Sequence, residues 1–343
     1  MKKIKFHGLL ILFIILSLVM AGCSSDDESE AGENGTITYF SPETLGMLED
    51  LAVAYEEEYE GANINVEYGG ANDIINQLIA ESGNPSGDLW YGAGGFIPFE
   101  TAKDRDLLEP YTPERAEDWE VDEGGIKMRD EDWHWVAMNF RVLGFAYNTD
   151  LVSEEEAPKT WDDLLDPRWE GKMQMANPSA SGTSTLIVLS QLLRLGEEEG
   201  WEYLDQLVGQ MSTMPDAGVA PATAVSSGEA EIAIVFDYHA YTQQGEGESI
   251  DFIVPDETPV LANPAAVIKD APNEVGGGEF MNFLLSDKAQ QIFADNYMLT
   301  ISDNVETSTP LTLENVMPHA QDMDIDWILD NYDEARSEWQ NRY

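Results

Sequence analysis

The stretch Thr36-Ile37-Thr38-Tyr39-Phe40-Ser41-Pro42 opens the succession of segments that decides the fold class. Its first five residues have the β-branched and aromatic content of a strand, and Ser41-Pro42 reads as a helix start, with serine as cap and proline as first helical residue. Leu45, Leu48, Leu51 or Ala52, Tyr55 and Tyr59 then recur at helical spacing up to the turn at Gly61. Residues 63–68 alternate as a second strand, stopped by Gly69-Gly70, and Ile74, Ile75, Leu78 and Ile79 mark a second helix. Asp88-Leu89-Trp90-Tyr91 is a third strand running into the glycine-rich turn Gly92-Ala93-Gly94-Gly95. A β-α-β-α-β order of this kind builds an open α/β sheet. In such sheets ligands lie at the carboxyl ends of strands beside helix starts, which makes Ser41, Gly92, Ala93 and Gly94 candidate ligand contacts. Ordinary turn chemistry is the competing reading of each.

Downstream, the apolar run from Met138 to Asn148 begins a second unit, in which helical and strand segments alternate through Ile232 to Phe236. After Val260 the pattern returns to strand at 265–268 and then to helices around Phe280 to Leu285 and Asp287 to Asp295. With 43% hydrophobic residues and nine tryptophans among 343, the chain has enough apolar material for two lobes.

Lys2, Lys3 and Lys5, the apolar run Leu9 to Met20 and then Ala21-Gly22-Cys23 follow the charge, apolar and small-residue order of an export signal, expected to be removed over 1–22. The run falls short of the roughly 20 residues a spanning helix needs. Cys23 is the chain's single cysteine, so no intramolecular disulfide is expected. Leu18-Val19-Met20-Ala21-Gly22-Cys23 resembles the lipobox of bacterial lipoproteins, departing from it at Met20, where leucine is commonest. That resemblance implies diacylation of Cys23, and several acyl chains together anchor stably where one does not. Residues 24–35 are polar and acidic, with nothing apolar larger than alanine, and read as a flexible tether.

The charge excludes whole classes of partner. Sixty-six acidic against 17 basic residues give a formal net charge of −49, which repels nucleic acid and anionic membrane surfaces. The acids are scattered (56–58, 154–156, 197–199, 322–333) rather than gathered, so solvation in a saline or alkaline medium accounts for them better than a cation-attracting surface. Self-repulsion on this scale is expected to raise the melting temperature in molar salt; a flat response to salt would contradict it.

A family resemblance spans nearly all of the chain beyond the leader. It is carried by Leu107-Leu108-Glu109-Pro110-Tyr111, by Gly144-Phe145-Ala146-Tyr147-Asn148-Thr149-Asp150-Leu151-Val152 and by the segment from Pro158-Lys159-Thr160-Trp161 to Trp169-Glu170-Gly171-Lys172. Ala176-Asn177-Pro178-Ser179-Ala180-Ser181-Gly182-Thr183, Gly228-Glu229-Ala230-Glu231-Ile232-Ala233-Ile234 and Phe283-Leu284-Leu285-Ser286-Asp287-Lys288-Ala289-Gln290 continue it. In this order the segments resemble bacterial extracellular solute-binding proteins of ABC importers. The branch most similar holds ferric-iron, phosphonate, phosphoglycerate and hexose-phosphate binders. The resemblance implies an α/β, two-lobe periplasmic-binding type II fold with a central ligand cleft and hinge. From it, lobe one is expected over 36–139 plus 262–310 and lobe two over 140–261. Residues 311–343 form helices packing back across both, and the hinge lies near Phe140 and between Phe236 and Val260. It further implies an extracytoplasmic, lipid-anchored monomer that hands its solute to a permease and an ATPase on separate chains, with no cofactor.

Three features bear on the cleft. Ser179, Ser181, Gly182 and Thr183 precede the apolar helix that contains Leu186, Ile187, Leu189 and Leu192. Hydroxyls and free N–H groups at a helix start suit phosphate or another oxyanion, or else merely cap the helix. Arg141 is a cation inside an apolar run; it either pairs with a ligand anion or neutralises one of the many carboxylates. Asp237-Tyr238-His239-Ala240-Tyr241 follows a strand. Asp237 and Tyr238 are candidate ligand contacts, and Tyr238, His239 and Tyr241 would suit ferric ion, which favours oxygen donors. The ferric branch of the family, however, places adjacent tyrosines here. A small anionic, phosphorylated solute is therefore the first expectation and ferric iron the second. An enzyme is disfavoured: beyond the leader only His134, His239 and His319 remain, with no second cysteine and no Gly-x-Ser-x-Gly or Walker motif, leaving a carboxylate-based hydrolase as the residual alternative.

Overall fold

The computed structural model describes residues 35–343; the expected export signal, Cys23 and nearly all of the expected tether lie outside the described residues. The chain begins with β1 (Thr36–Ser41), α1 (Leu45–Glu58), β2 (Asn63–Tyr68), α2 (Ala71–Ala80), β3 (Leu89–Tyr91) and α3 (Ile97–Asp104). Short strands β4 (Leu108–Glu109), β5 (Asp122–Glu123) and β6 (Ile126–Lys127) lead to the 13-residue β7 (Val136–Asn148). Next come β8 (Met173–Gln174), α4 (Gly182–Leu195), α5 (Glu197–Gln210), β9 (Met211–Thr213), α6 (Ala220–Ser226), β10 (Ile232–Phe236), α7 (Asp237–Gly245) and β11 (Ile250–Ile253). The chain closes with β12 (Val260–Ile268), α8 (Glu274–Leu284), α9 (Asp287–Asp295), β13 (Leu299–Thr300), α10 (Leu313–Val316) and α11 (Ile325–Arg342).

The principal sheet runs β2-β1-β3-β12-β7-β10-β8-β9, with β1 parallel to β2 and β3, and with β12 antiparallel to β3 and β7. One strand belongs to both ends of this order. Val136 to Val142 of β7 pair with β12, whereas Leu143 to Tyr147 pair with β10. The handover is fastened by the Thr258 hydroxyl, which donates to the Leu143 carbonyl, and by the Leu143 N–H, which donates to the Pro259 carbonyl at 3.0 Å.

Successive side chains of a strand point to opposite faces, and here both faces are covered by helices. Ile37 and Tyr39 of β1, Leu89 and Tyr91 of β3, and Ala265 and Val267 of β12 enter one core with Leu48, Leu51 and Tyr55 of α1, Phe280 and Phe283 of α8 and Phe293 of α9. Phe40, Trp90 and Ala266, one residue out of phase, enter the other. Burial on both sides explains why β7 reads as a continuous apolar run, every residue of it buried.

The chain departs from the expected helix start at Ser41. This residue closes β1, paired with Tyr68, and α1 begins only at Leu45 with Thr44 as its cap. Ladder pairing keeps Ser41 extended, and its hydroxyl instead accepts the Glu43 N–H at 3.2 Å, closing a tight turn through Pro42. At the other end, α11 lies against α4, and Gln321 ahead of it donates to the Ser190 carbonyl at 2.9 Å. Among the described residues no helix is long and apolar enough to cross a membrane.

Candidate functional site

Two constellations gather the residues singled out in the sequence. The first sits where β7 passes between the halves of the sheet. Arg141, 5% exposed, forms an ion pair with Glu43, which the turn after β1 delivers. The Arg141 guanidinium also lies 4.7 Å over the Tyr238 ring and donates to its hydroxyl at 3.4 Å. Asn263 of β12 donates to Glu43 and to the Tyr91 hydroxyl, each at 3.3 Å, and Asn139 of β7 donates to the same hydroxyl at 2.7 Å. Gly92 is required under this carboxylate: its φ is +73°, and a Cβ there would fall 2.6 Å from Glu43 Oε1. Of the two readings of Arg141, the geometry thus gives neutralisation of a carboxylate. Glu43, Asn139 and Asn263 were not singled out in the sequence. Glu43 is 98 residues from Arg141 along the chain, and nothing local distinguishes it from the other acids.

Asp237 is buried at the amino end of α7, and its Oδ1 accepts the Val142 N–H at 3.0 Å, across the handover in β7. Its Oδ2 has no hydrogen-bond partner, a property shared within this cluster by Arg141 Nε, Asn139 Oδ1 and Asn263 Oδ1. Burial pushes the Asp237 carboxyl up to about 7. Burial pulls the neighbouring His239 imidazole down to about 3, with the charge of Arg141 acting the same way.

These two groups act on stability with opposite sign. Asp237 binds its proton more tightly in the folded chain, so its contribution is complete below about pH 4 and is lost as pH rises through 7. His239 binds its proton less tightly in the folded chain, so its contribution is complete above about pH 6.5 and is lost as pH falls. Between about pH 4 and 6.5 the two slopes oppose each other, so Asp237→Asn is expected to leave stability rising with pH across that range and His239→Gln to leave it falling. Urea unfolding across that range measures both; a D237N curve parallel to the parent's would contradict the assignment.

The second constellation is a cavity of about 440 Å³. Ala93 and Gly94 from the turn after β3 line one side, with the start of α3 and Asn72 of α2; Ala180 and Gly182 at the start of α4 line another, with Tyr332 and Arg336 of α11. Ser181, the N-cap of α4, is buried and makes no side-chain cap hydrogen bond, so its hydroxyl is not used by the helix. Thr183 stands on the same turn, and the Ser179 carbonyl just ahead accepts from Arg336. Ser41, Gly92, Ser179, Ser181 and Thr183 do not line this cavity: Ser41 is wholly buried, Gly92 lies beneath Glu43, and the hydroxyls of Ser181 and Thr183 lie beside Gly218. The contribution of α11 was not foreseen, since nothing in its local pattern shows which helix it meets.

The residues named for ferric ion do not converge. Tyr238 and His239 line a smaller cavity of about 340 Å³, with Thr44, Asn296 and Tyr297, and their rings are 4.0 Å apart. Tyr241 is buried instead against Phe252, ring centroids 5.8 Å apart. Among the described residues no group of three or more His, Cys, Asp or Glu could hold a metal ion.

Comparison with solved structures assigns the fold. The chain superposes on the periplasmic binding protein AfuA of Actinobacillus pleuropneumoniae, solved with exogenous fructose 6-phosphate bound, with a TM-score of 0.72 at 24% identity, covering 90% of this chain and 97% of that one. It superposes on iron-bound HitA of Pseudomonas aeruginosa with a TM-score of 0.75 at 21% identity, covering 89% and 98%. The architecture is therefore the two-lobed periplasmic-binding type II fold. In sequence it is 24% identical over 317 residues to iron uptake protein A1 of Synechocystis, covering 84% of this chain and 83% of that protein. It is 27% identical over 248 residues to a Salmonella typhimurium protein named for periplasmic 2-aminoethylphosphonate binding, covering 69% of each. These relatives are binding proteins of transporters, not enzymes. Residues 98–327 match the family model described as bacterial extracellular solute-binding protein, and this chain belongs to that family.

Proposed function

We propose that the chain captures a small anionic solute, a phosphorylated or phosphonate compound, outside the cell and delivers it to the permease and ATPase of an ABC importer. The observation that carries this reading is the start of α4, where Ala180 and Gly182 line a cavity walled on its other side by the turn after β3 and where Ser181 between them leaves its cap bond unmade. N–H groups at a helix start, with hydroxyls nearby and aided by the helix dipole, suit an oxyanion. The relatives named for phosphonate and the structure holding a sugar phosphate are consistent with it.

In this reading lobe one comprises 36–139 plus 262–310 and lobe two 140–261, with 311–343 packing across them. Solute bridges the lobes and favours the closed state by contacts the open state lacks. Lipid on Cys23, after removal of 1–22, would hold the monomeric chain at the membrane through the tether of 24–35. Ferric iron is the second reading, favoured by the iron uptake relatives. It asks for oxygen donors at one point, yet the Tyr238 hydroxyl receives the Arg141 hydrogen bond and Tyr241 is packed against Phe252. Native mass spectrometry of the purified chain tests the choice: a co-purified phosphorus-containing anion is the expected result, and a bound ferric ion would overturn it.

A further inference from the structure

We infer that the positive charge meeting the solute's anionic group comes from Arg336 on the C-terminal helix α11, and not from Arg141. The inference rests on the anionic-solute reading and names the cation that reading requires. Acids outnumber bases almost four to one in this chain, and among the described residues most lysines and arginines are ion-paired with carboxylates. Arg141 is held by Glu43 behind the turn at Gly94 and is not among the residues that line the 440 Å³ cavity. Arg336 lines that cavity and, among the described residues, has no carboxylate within ion-pair distance. Its Nε and Nη2 both donate to the Ser179 carbonyl, at 3.2 and 2.5 Å. This fixes the planar fork beside the turn that opens α4 and leaves Nη1 available to a ligand oxygen.

Tyr332, one turn earlier on the same face of α11, lies over the start of α4; a Cβ at Gly182 would be 3.9 Å from its hydroxyl. Arg336 and Tyr332 thus approach from the side what the N–H groups of α4 approach along the helix axis. The same wall carries Asp333, exposed at the rim, whose charge opposes an anion. The balance between Arg336 and Asp333 sets how much negative charge the site accepts. Because α11 is packed on α4, a solute held by both helices also ties the end of the chain to the lobe that contains α4.

Titration calorimetry of the chain with inorganic phosphate, fructose 6-phosphate and 2-aminoethylphosphonate tests this. Arg336→Met is expected to weaken the probes that bind by about ten-fold or more, Arg336→Lys to recover part of the loss, and Asp333→Asn to tighten binding. Opposite signs from two residues on one helix would not arise from a loosened α11. If R336M leaves affinity unchanged while the Ser181→Ala, Thr183→Ala double variant weakens it, the role of Arg336 is overturned and the anionic reading stands. If no probe binds the parent chain, both are overturned.

Discussion

Replacing Glu43 by alanine is expected to lower the stability of the folded chain by about 3–5 kcal/mol, the usual cost of removing one partner of a buried ion pair. The size of the effect follows from what would remain. Arg141 is enclosed between β12 and α7, and its Nε already lacks a partner. Without Glu43 the guanidinium would keep one bond, to the Tyr238 hydroxyl, and a ring face. A cation so desolvated cannot shed its proton, since burial lowers the Arg141 proton affinity by less than Glu43 and its other neighbours raise it. Glu43→Gln should cost less, because the amide keeps the shape and an acceptor for Asn263. Coupling provides the sharper test: if the loss is an uncompensated charge, Arg141→Met in the E43A background restores much of it. Urea unfolding reads all four corners of the cycle, and a loss below about 1 kcal/mol for E43A would show that the pair is solvated.

How much of this was legible in the sequence depends on the range of the interaction concerned. The strands Thr36 to Phe40, Ile232 to Phe236 and Ala265 to Ile268 were legible because β-branched and apolar content is a local property, and the helices at Ile74 and Asp287 because their buried positions recur at helical spacing. Ser41 was misread as a cap because Ser-Pro before an apolar period looks alike whether the serine starts a helix or ends a strand. Pairing with Tyr68, 27 residues away, decides it. The site divides in the same manner. The start of α4 and the Gly92 to Gly95 turn were visible as local patterns, and three of the turn's residues with Gly182 do line one cavity. Arg141 was visible as an oddity, but not its partner. Glu43 is one carboxylate among 66, selected by a fold that brings β1 beside β3 and β12 beside β7. The same holds for Arg336: α11 alone reads as a polar helix, and only its packing on α4 turns that arginine toward a cavity.

The second large effect is expected on affinity, with stability unchanged. Replacing Ser181 and Thr183 together by alanine should weaken an anionic solute by about two to four orders of magnitude, at about 1.5–3 kcal/mol for each of the two charge-assisted hydrogen bonds lost. An N-cap serine changed to alanine ordinarily costs about 1 kcal/mol of stability, because its oxygen satisfies an N–H of the first turn. Here that cap bond is not made, so the Ser181 hydroxyl has little to lose from the fold. Ser181 is 7% exposed, with Gly218 so close that a Cβ there would fall 3.3 Å from Ser181 Oγ and 3.6 Å from Thr183 Oγ1. A hydroxyl not used by its own helix can bond a ligand instead, and its loss is then felt in the bound state. The double variant should therefore melt with the parent in the absence of solute and fall behind it when solute is present, since solute stabilises the folded chain in proportion to the logarithm of its concentration over the dissociation constant. Equal shifts with solute would remove α4 from the site, whereas a drop of about 1 kcal/mol without solute would return Ser181 to the role of a cap.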